Sequence, residues 1–309
     1  MTARLTALQD AYLSKVSNML TPHGLVSGQV LPFIAVKETT GLIANYGNVH
    51  LQAANSRVGG DGKFKKVESV ERDRLNYLLE RHGLYDVVTQ DDYRNVIAPY
   101  QAEVDVTVGL TSILMTERER AFKNLFAASE LTQGINKTAA TEKYKDPTSD
   151  PFGDFQDAHN TVLEMAGVSP DAVICPRKVA NVLRTHPQIR DFFRRGASQG
   201  KGGPIIEEEL KMAFGVNRMF IPESPEADST GAISQIWPDD IIFLVAPPAA
   251  ARRQVSFGYR LGDNVGGGDV RIWKFATTNP PLGLDVLAGI NWEFKTVNPL
   301  AGYAIRNAI

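Results

Sequence analysis

Between Tyr100 and Glu130 the chain reads YQAEVDVTVGLTSILMTERERAFKNLFAASE. Val104, Val108, Ser112, Met115, Phe122 and Phe126 recur there at steps of three and four, and Leu110, Ile113, Leu114, Leu125 and Leu131 widen the apolar face. That spacing predicts one amphipathic helix. Glu103 and Asp105 fall in its first turn, where the helix dipole favours acids, and Pro99 stands just ahead, suiting a helix start. At 1.5 Å rise per residue the helix would run about 45 Å. An apolar stripe of that length must lie on a sheet or on other helices, so the rest of the fold is built around it. It reads as a spine rather than a catalytic element.

The 309 residues, 43% hydrophobic and 22% charged, are enough for one large core or two smaller ones. A formal net charge of −2 argues against a dedicated nucleic-acid binder, which would carry a strong basic excess. The single cysteine, Cys175, excludes an internal disulfide framework and any multi-cysteine metal site, and fits a reducing compartment. Apolar runs such as Ile241–Pro248 are too short to span a bilayer, and the first twenty residues lack the continuous apolar core of a signal peptide. A soluble protein, made in the cytosol, is expected.

Leu5, Leu8, Tyr12, Val16 and Leu20 mark a short amphipathic helix that ends near Thr21-Pro22. Its stripe either packs on its own domain or docks on a neighbour. Leu31–Val36 and Leu42–Tyr46 read as strands around the turn at Glu38–Gly41. Val49–Arg57 and Phe64–Val70 flank a glycine-rich tip, giving a hairpin with little apolar face and with Arg57, Lys63, Lys65 and Lys66 near its end. Its lysines either guard a solvated edge or reach a neighbouring subunit. Arg74–Val88 reads as a strand and then a short helical turn. Beyond the spine, Gln133–Thr148 is a loop or weak hairpin. Helices follow from Asp150-Pro151 to Met165, with Gly167 as the C′ residue, then over Pro176–Arg184, from His186-Pro187 to Phe193, and over Ile206–Phe214, stopped by Gly215. Strands are expected at Ala172–Cys175, Val216–Ile221, Ile241–Val245, around Ile290, Trp292 and Phe294, and at Tyr303–Ile309. Glu223–Gly231 reads as a polar loop. Alternation of helix and strand between Asp150 and Val245 gives an α/β unit inside an overall α+β chain.

No catalytic constellation emerges. Gly196–Gly202 has three residues between its first two glycines and a glycine after Lys201, so it fails the phosphate-loop pattern. No helix is expected after Gly262–Gly268, so that stretch fails the dinucleotide fingerprint. The five histidines show no helical pairing, and no metal site or cofactor is expected. His186 reads as a helix-entry residue and Cys175 as a buried small side chain. Glu207–Glu209 suit a helix start. Glu117, Arg118, Glu119 and Arg120 alternate in sign, the pattern of a solvated face that also suits subunit contacts. Arg184, Arg190, Arg194, Arg195 and Lys201 form the most basic stretch, a solvated face whose minority role would be a phosphate or subunit contact.

A basic hairpin, one long helix, an α/β unit and a return to strands occur in an order similar to the major capsid proteins of tailed double-stranded DNA bacteriophages, which share the fold first described for phage HK97. The phrases YGNVHL, ANSRVGG and YLLERHGLYDVV between Tyr46 and Val88 carry the resemblance, with TERERAFKNLF (Thr116–Phe126), the run from Asp150 to Arg195, and IWPDDIIFLVAPP (Ile236–Pro248). The resemblance implies an α+β capsid fold: an N-terminal arm over 1–30, an extended loop over 49–71, a peripheral domain from 31–48, 72–153 and 263–309 with its spine near 100–130, and an axial domain over 154–262. It implies subunit contacts through Arg57, Lys63, Lys65 and Lys66 on the loop and through Glu117, Arg118, Glu119 and Arg120 on the spine. Ser198, Gln199 and Lys201 would meet neighbours around the symmetry axes. It further implies pentamers and hexamers closing an icosahedral shell around DNA held without sequence preference, in a virion assembled in the host cytoplasm. A separate scaffolding protein, a portal protein and decoration proteins are the implied partners, with no membrane. No asparagine partner or catalytic carboxylate is apparent for the loop lysines, so no covalent crosslink between subunits is expected. An encapsulin-like compartment is the alternative within the same fold, and a soluble enzyme of undetected type is the third reading.

Overall fold

The predicted spine is a 23-residue helix lying across one of the two larger sheets in a computed structural model. The structure describes residues 8–19, 22, 24–45, 73–95, 101–127, 130–131, 133–194, 205–227, 230–251, 254–263, 269–276 and 283–309. In chain order the elements begin with β1 (Leu8–Gln9), α1 (Ala11–Met19), β2 (Phe33–Ala35), β3 (Thr40–Asn45), β4 (Asp73–Leu78) and β5 (Glu80–Thr89). Next come α2 (Gln90–Asn95), the spine α3 (Ala102–Asn124), β6 (Gly134–Asn136), α4 (Pro151–Ala166), β7 (Ala172–Ile174), α5 (Arg177–Thr185) and α6 (Pro187–Arg194). The last are α7 (Glu207–Phe214), β8 (Arg218–Phe220), β9 (Pro225–Ala227), β10 (Ile233–Gln235), β11 (Ile241–Leu244), β12 (Gly258–Gly262), β13 (Arg271–Ala276), β14 (Gly283–Thr296) and β15 (Gly302–Arg306).

The first sheet is organised by β14, whose 14 residues pair antiparallel with β5, β12 and β13, while β1 and β2 extend its margins. Side chains alternate along β14: Val286, Ala288, Ile290, Trp292 and Phe294 are buried. The α3 helix packs against β14 and β5, with the Phe122 and Phe294 rings 5.1 Å apart. The second sheet has the order β6-β15-β11-β7-β8, with α4 against β15. Its central strand β11 is buried at every position, as a strand covered on both faces must be. Gly167 and Gly215 take left-handed backbones, φ 73° and 66°, at the ends of α4 and α7, the conformation glycine enters without steric cost.

The helix is shorter than its periodicity suggests. It stops at Asn124, and Leu125 and Phe126 donate their N–H groups to the carbonyls of Phe122 and Lys123 in a tightened last turn. Phe126 and Leu131 are still buried beyond it, because the chain turns inside the core and keeps its apolar spacing. Ile113, expected on the apolar face, is 58% exposed. The inward stripe instead runs through Thr107, Leu110, Thr111, Leu114, Met115, Arg118, Glu119 and Phe122.

Other departures have equally local causes. β2 and β3 do not pair with each other: β2 lies parallel to β12, and β3 forms an antiparallel ribbon with β4. β5 extends to Thr89, so the helical turn expected before Val88 begins at Gln90. The polar stretch Glu223–Gly231 contains β9, which pairs with β10. The final strand ends at Arg306, where Asn307 turns to φ 53°. Sheet membership also crosses the expected domain limits. β12 (258–262) pairs with β14 in the first sheet, and β15 (302–306) leaves that sheet to sit between β6 and β11.

The described part of the N-terminal segment packs on its own chain. β1 pairs with β13, Leu13 is buried, and Ser17 Oγ lies 2.7 Å from Thr111 Oγ1 on the spine. Asn18 exchanges two hydrogen bonds with the backbone of Val270. Lys274 bridges Asp10, at 2.8 Å, and Glu103.

Candidate functional site

Successive residues on an α-helix point about 100° apart, so four consecutive charges cannot share one face. The structure divides Glu117–Arg120 accordingly, which corrects the expectation of a single solvated face. Glu117 and Arg120 are exposed, whereas Arg118 and Glu119 are buried. Glu119, fully buried, accepts hydrogen bonds from the Ser27 N–H at 2.8 Å, from the Val26 N–H at 3.2 Å to each oxygen, and from Trp237 Nε1 at 2.8 Å. One carboxylate thereby ties the spine to the segment before β2 and to the segment before β11.

Arg118 points to the opposite flank of the same stripe. Its Nη1 and that of Arg260 donate to Asp269 Oδ2 at 3.1 and 3.2 Å, and the Arg260 guanidinium lies 4.6 Å from the centre of the Phe33 ring. Burial pushes the Asp269 carboxyl up, but the charges and hydrogen bonds of Arg118 and Arg260 outweigh it and hold the group below the usual carboxylate range. Burial likewise lowers the Arg260 pKa. A carboxylate depressed in the folded state adds stability above its unfolded pKa, and that stability is lost as pH falls through the folded value. Acid titration of folding stability is therefore expected to show a loss below about pH 4, and Asp269→Asn is expected to remove that component. An unchanged acid limb in the variant would contradict the assignment.

The two outward charges each have a partner within the chain. Glu117 Oε1 lies 3.5 Å from His82 Nδ1, and His82 stacks on Trp292 with ring centres 4.2 Å apart and planes 8° from parallel. Arg120 pairs with Glu226 on β9 at 2.6 Å. Both pairs are exposed enough that solvent weakens them, and neither holds its charge away from a visiting surface.

In the second sheet, buried Lys137 contacts Asp154 at 2.6 Å, and the Tyr144 hydroxyl donates to the same carboxylate at 2.9 Å. Burial, then Asp154, pushes the Tyr144 hydroxyl far above its ordinary pKa, so it acts as a hydrogen-bond donor. His186 is buried at the entry to α6, with Nε2 3.2 Å from both Ser149 Oγ and the Asp146 carbonyl, and burial pushes its pKa down. Cys175 is buried and its thiol is pushed up by burial, the opposite of an activated nucleophile. Glu207–Glu209 occupy the first turn of α7, where the Glu209 carboxylate accepts the Ile206 N–H at 2.9 Å. Of the basic stretch, Arg184 donates to the Ile205 carbonyl at 2.7 Å, and Arg190 lies 3.7 Å from Asp191.

These polar groups hold elements of one chain together. Among the described residues no group of three or more His, Cys, Asp or Glu side chains could hold a metal ion. Arg57, Lys63, Lys65 and Lys66, and likewise Ser198, Gln199 and Lys201, lie outside the described residues. The structural roles of Glu119, Arg260 and Asp269 were missed in the sequence. Glu119 alone carries a signal there, standing four residues after Met115 and three before Phe122.

Two curated relatives span most of the chain. It is 22% identical over 268 residues to a major capsid protein of Burkholderia phage BcepMu, covering 84% of this chain and 85% of that one. It is 27% identical over 265 residues to a major capsid protein of Pseudomonas phage JBD67, covering 82% and 81%. No protein-family model matches the chain. Among solved structures, a phage-related protein of Bordetella bronchiseptica RB50 superposes with a TM-score of 0.73 at 16% identity, covering 98% of both chains. A Mycobacterium phage Che8 chain gives 0.52 at 12% identity, covering 99% and 93%. The SrpI encapsulin of Synechococcus elongatus PCC 7942 gives 0.51 at 13%, covering 90% and 85%. The fold is therefore the one these chains share.

Proposed function

We infer that the chain is a phage major capsid protein with the HK97-type fold, many copies of which join into a closed shell. The observation that carries this reading is the agreement of two likenesses, each over most of the chain: sequence identity to two phage proteins named as major capsid proteins, and a fold shared with a phage-related protein, a phage chain and an encapsulin. The polar interior supports a structural role, since its buried charges are spent on holding loops and helices together.

In this reading the first sheet and α3 form the peripheral domain, and the second sheet with α4–α7 forms the axial domain, with β15 transferred to the latter. Residues 1–30 are the arm. Residues 49–71 are the extended loop, rooted on the β3–β4 ribbon, and Arg57, Lys63, Lys65 and Lys66 meet a neighbour there. Ser198, Gln199 and Lys201 meet neighbours about the axes of pentamers and hexamers. The shell encloses double-stranded DNA and grows with a separate scaffolding protein, a portal and, in some shells, decoration proteins. Each contact is modest, and multivalency makes the sum stable.

Electron microscopy of the purified protein tests the reading. Closed shells are expected, and uniform small monomers would refute it. The encapsulin alternative rests on fold likeness alone. Packaged DNA, as against protein cargo, in particles taken from infected or induced cells separates the two.

The spine contacts reduce to Glu117 and Arg120, because Arg118 and Glu119 are engaged inside the chain. Glu117→Lys and Arg120→Glu are expected to leave folding within about 0.5 kcal/mol of wild type, as surface changes do, and to lower shell yield. Normal shells from both variants would remove the spine from the interface.

A further inference from the structure

Among the described residues the β5 strand pairs with β14 alone, on one side of the first sheet. The alternation of its backbone can be followed. Asp10 donates to the Ile272 carbonyl and the Ile272 N–H is met by Ser14 Oγ at 3.0 Å, so even residues of β13 face away from β14 and its odd residues bond to odd residues of β14. Even residues of β14 are left to bond β5, through Glu80, His82, Leu84, Asp86 and Val88. The N–H and C=O groups of Arg81, Gly83, Tyr85, Val87 and Thr89 therefore point outward along the sheet edge.

Part of this edge is closed by side chains. Asp86 Oδ1 accepts the Val87 N–H at 2.8 Å, and Asp92 Oδ2 accepts the Thr89 N–H at 2.8 Å. Among the described residues no acceptor meets the N–H groups of Arg81, Gly83 and Tyr85. An edge capped at one end and open over five residues is a template for another strand.

We propose that β5 pairs antiparallel with β5 of a second copy of this chain, about a twofold axis through Gly83. The proposal rests on the reading that copies of the chain assemble with one another. This register joins the open groups to one another: Gly83 faces Gly83, and each Arg81 faces Tyr85 of the other copy. A twofold contact must be self-complementary, and this one sets a guanidinium against an aromatic ring twice. Tyr85, 70% exposed in the single chain, gains a partner. A groove of about 350 Å³ on the same face, lined by Trp273, Leu287 and Gly289 beside Tyr85, offers apolar ground next to the ladder. One residue beyond Arg81–Tyr85, Glu80 would face Asp86 of the other copy, and like charges end the ladder there.

Two variants test it. Gly83→Pro removes an N–H that serves no bond to β14, a place where an edge strand accepts proline. It is expected to stay folded by circular dichroism and to lose shell formation at least tenfold. A folded variant that still builds normal shells overturns the proposal. Arg81→Cys/Tyr85→Cys provides the second readout, and holds even where the proline variant fails to fold. The two thiols lie about 13 Å apart within one strand, yet face their counterparts across the ladder. A short bifunctional thiol reagent, bridging the roughly 5 Å between facing β-carbons, is expected to give covalent dimers in assembled shells. Shells of this double variant that yield only monomers overturn the pairing while leaving the shell reading intact. Wild-type protein that forms no shells refutes the shell reading itself.

Discussion

Glu119→Ala is expected to cost about 3–5 kcal/mol of folding stability, a large share of what a domain has. The substitution leaves the Val26 and Ser27 N–H groups and the Trp237 indole N–H without their acceptor in a site closed to solvent. Each orphaned donor costs on the order of 1 kcal/mol or more. Glu119→Gln retains one acceptor oxygen and is expected to lose less. Urea denaturation followed by tryptophan fluorescence is suited to the measurement, since Trp237 touches the site. A Glu119→Ala midpoint equal to wild type would show that the carboxylate is not the tie described. Because the loss is in the fold, charge reversal here is no test of subunit contact; Glu117 serves that purpose.

Phe122→Ala is expected to cost a similar amount, about 3–5 kcal/mol, through a different term. Phe122 is fully buried and its ring centre lies 5.1 Å from those of Phe126 and Phe294 and 5.8 Å from that of Trp237. Removing the ring leaves a cavity between helix and sheet that rigid neighbours on both sides cannot fill. Phe122→Leu, which keeps most of the volume, is expected to recover more than half of the loss. If alanine and leucine proved equally mild, the helix–sheet interface would be looser than these ring contacts imply.

The large elements were legible because their apolar periodicities are long. The spine, α4, α7 and the alternation at Ile290, Trp292 and Phe294 each follow a period of 3.6 or 2. What escaped was partnership. Nothing local tells β3 that its partner is β4, or that β15 belongs beside β11, since pairing is settled by side chains distant in sequence. The β12 and β13 strands escaped because arginines, a lysine and glycines break the apolar alternation over Gly258–Gly262 and Arg271–Ala276. Glu119 was read as surface because a charged residue is normally solvated. Its phase on the buried stripe pointed the other way, and three hydrogen-bond donors aimed at its carboxylate explain why phase prevailed. The free edge of β5 could not be seen before the pairing of β13 with β14 fixed which backbone groups face outward.

The position of β14 and β15 in their sheets bears on how the protein is made. Each is the last strand of its sheet in sequence, and each lies between others: β14 joins β5 to β12 and β13, and β15 joins β6 to β11. A ribosome that has delivered everything up to Leu282 has delivered unjoined pieces of both sheets. Neither sheet can close until residues 283–306 emerge, so contacts far apart in sequence form late and together. A chain that ends before residue 283 therefore lacks the strand that joins β5 to β12 and β13 and the strand that joins β6 to β11.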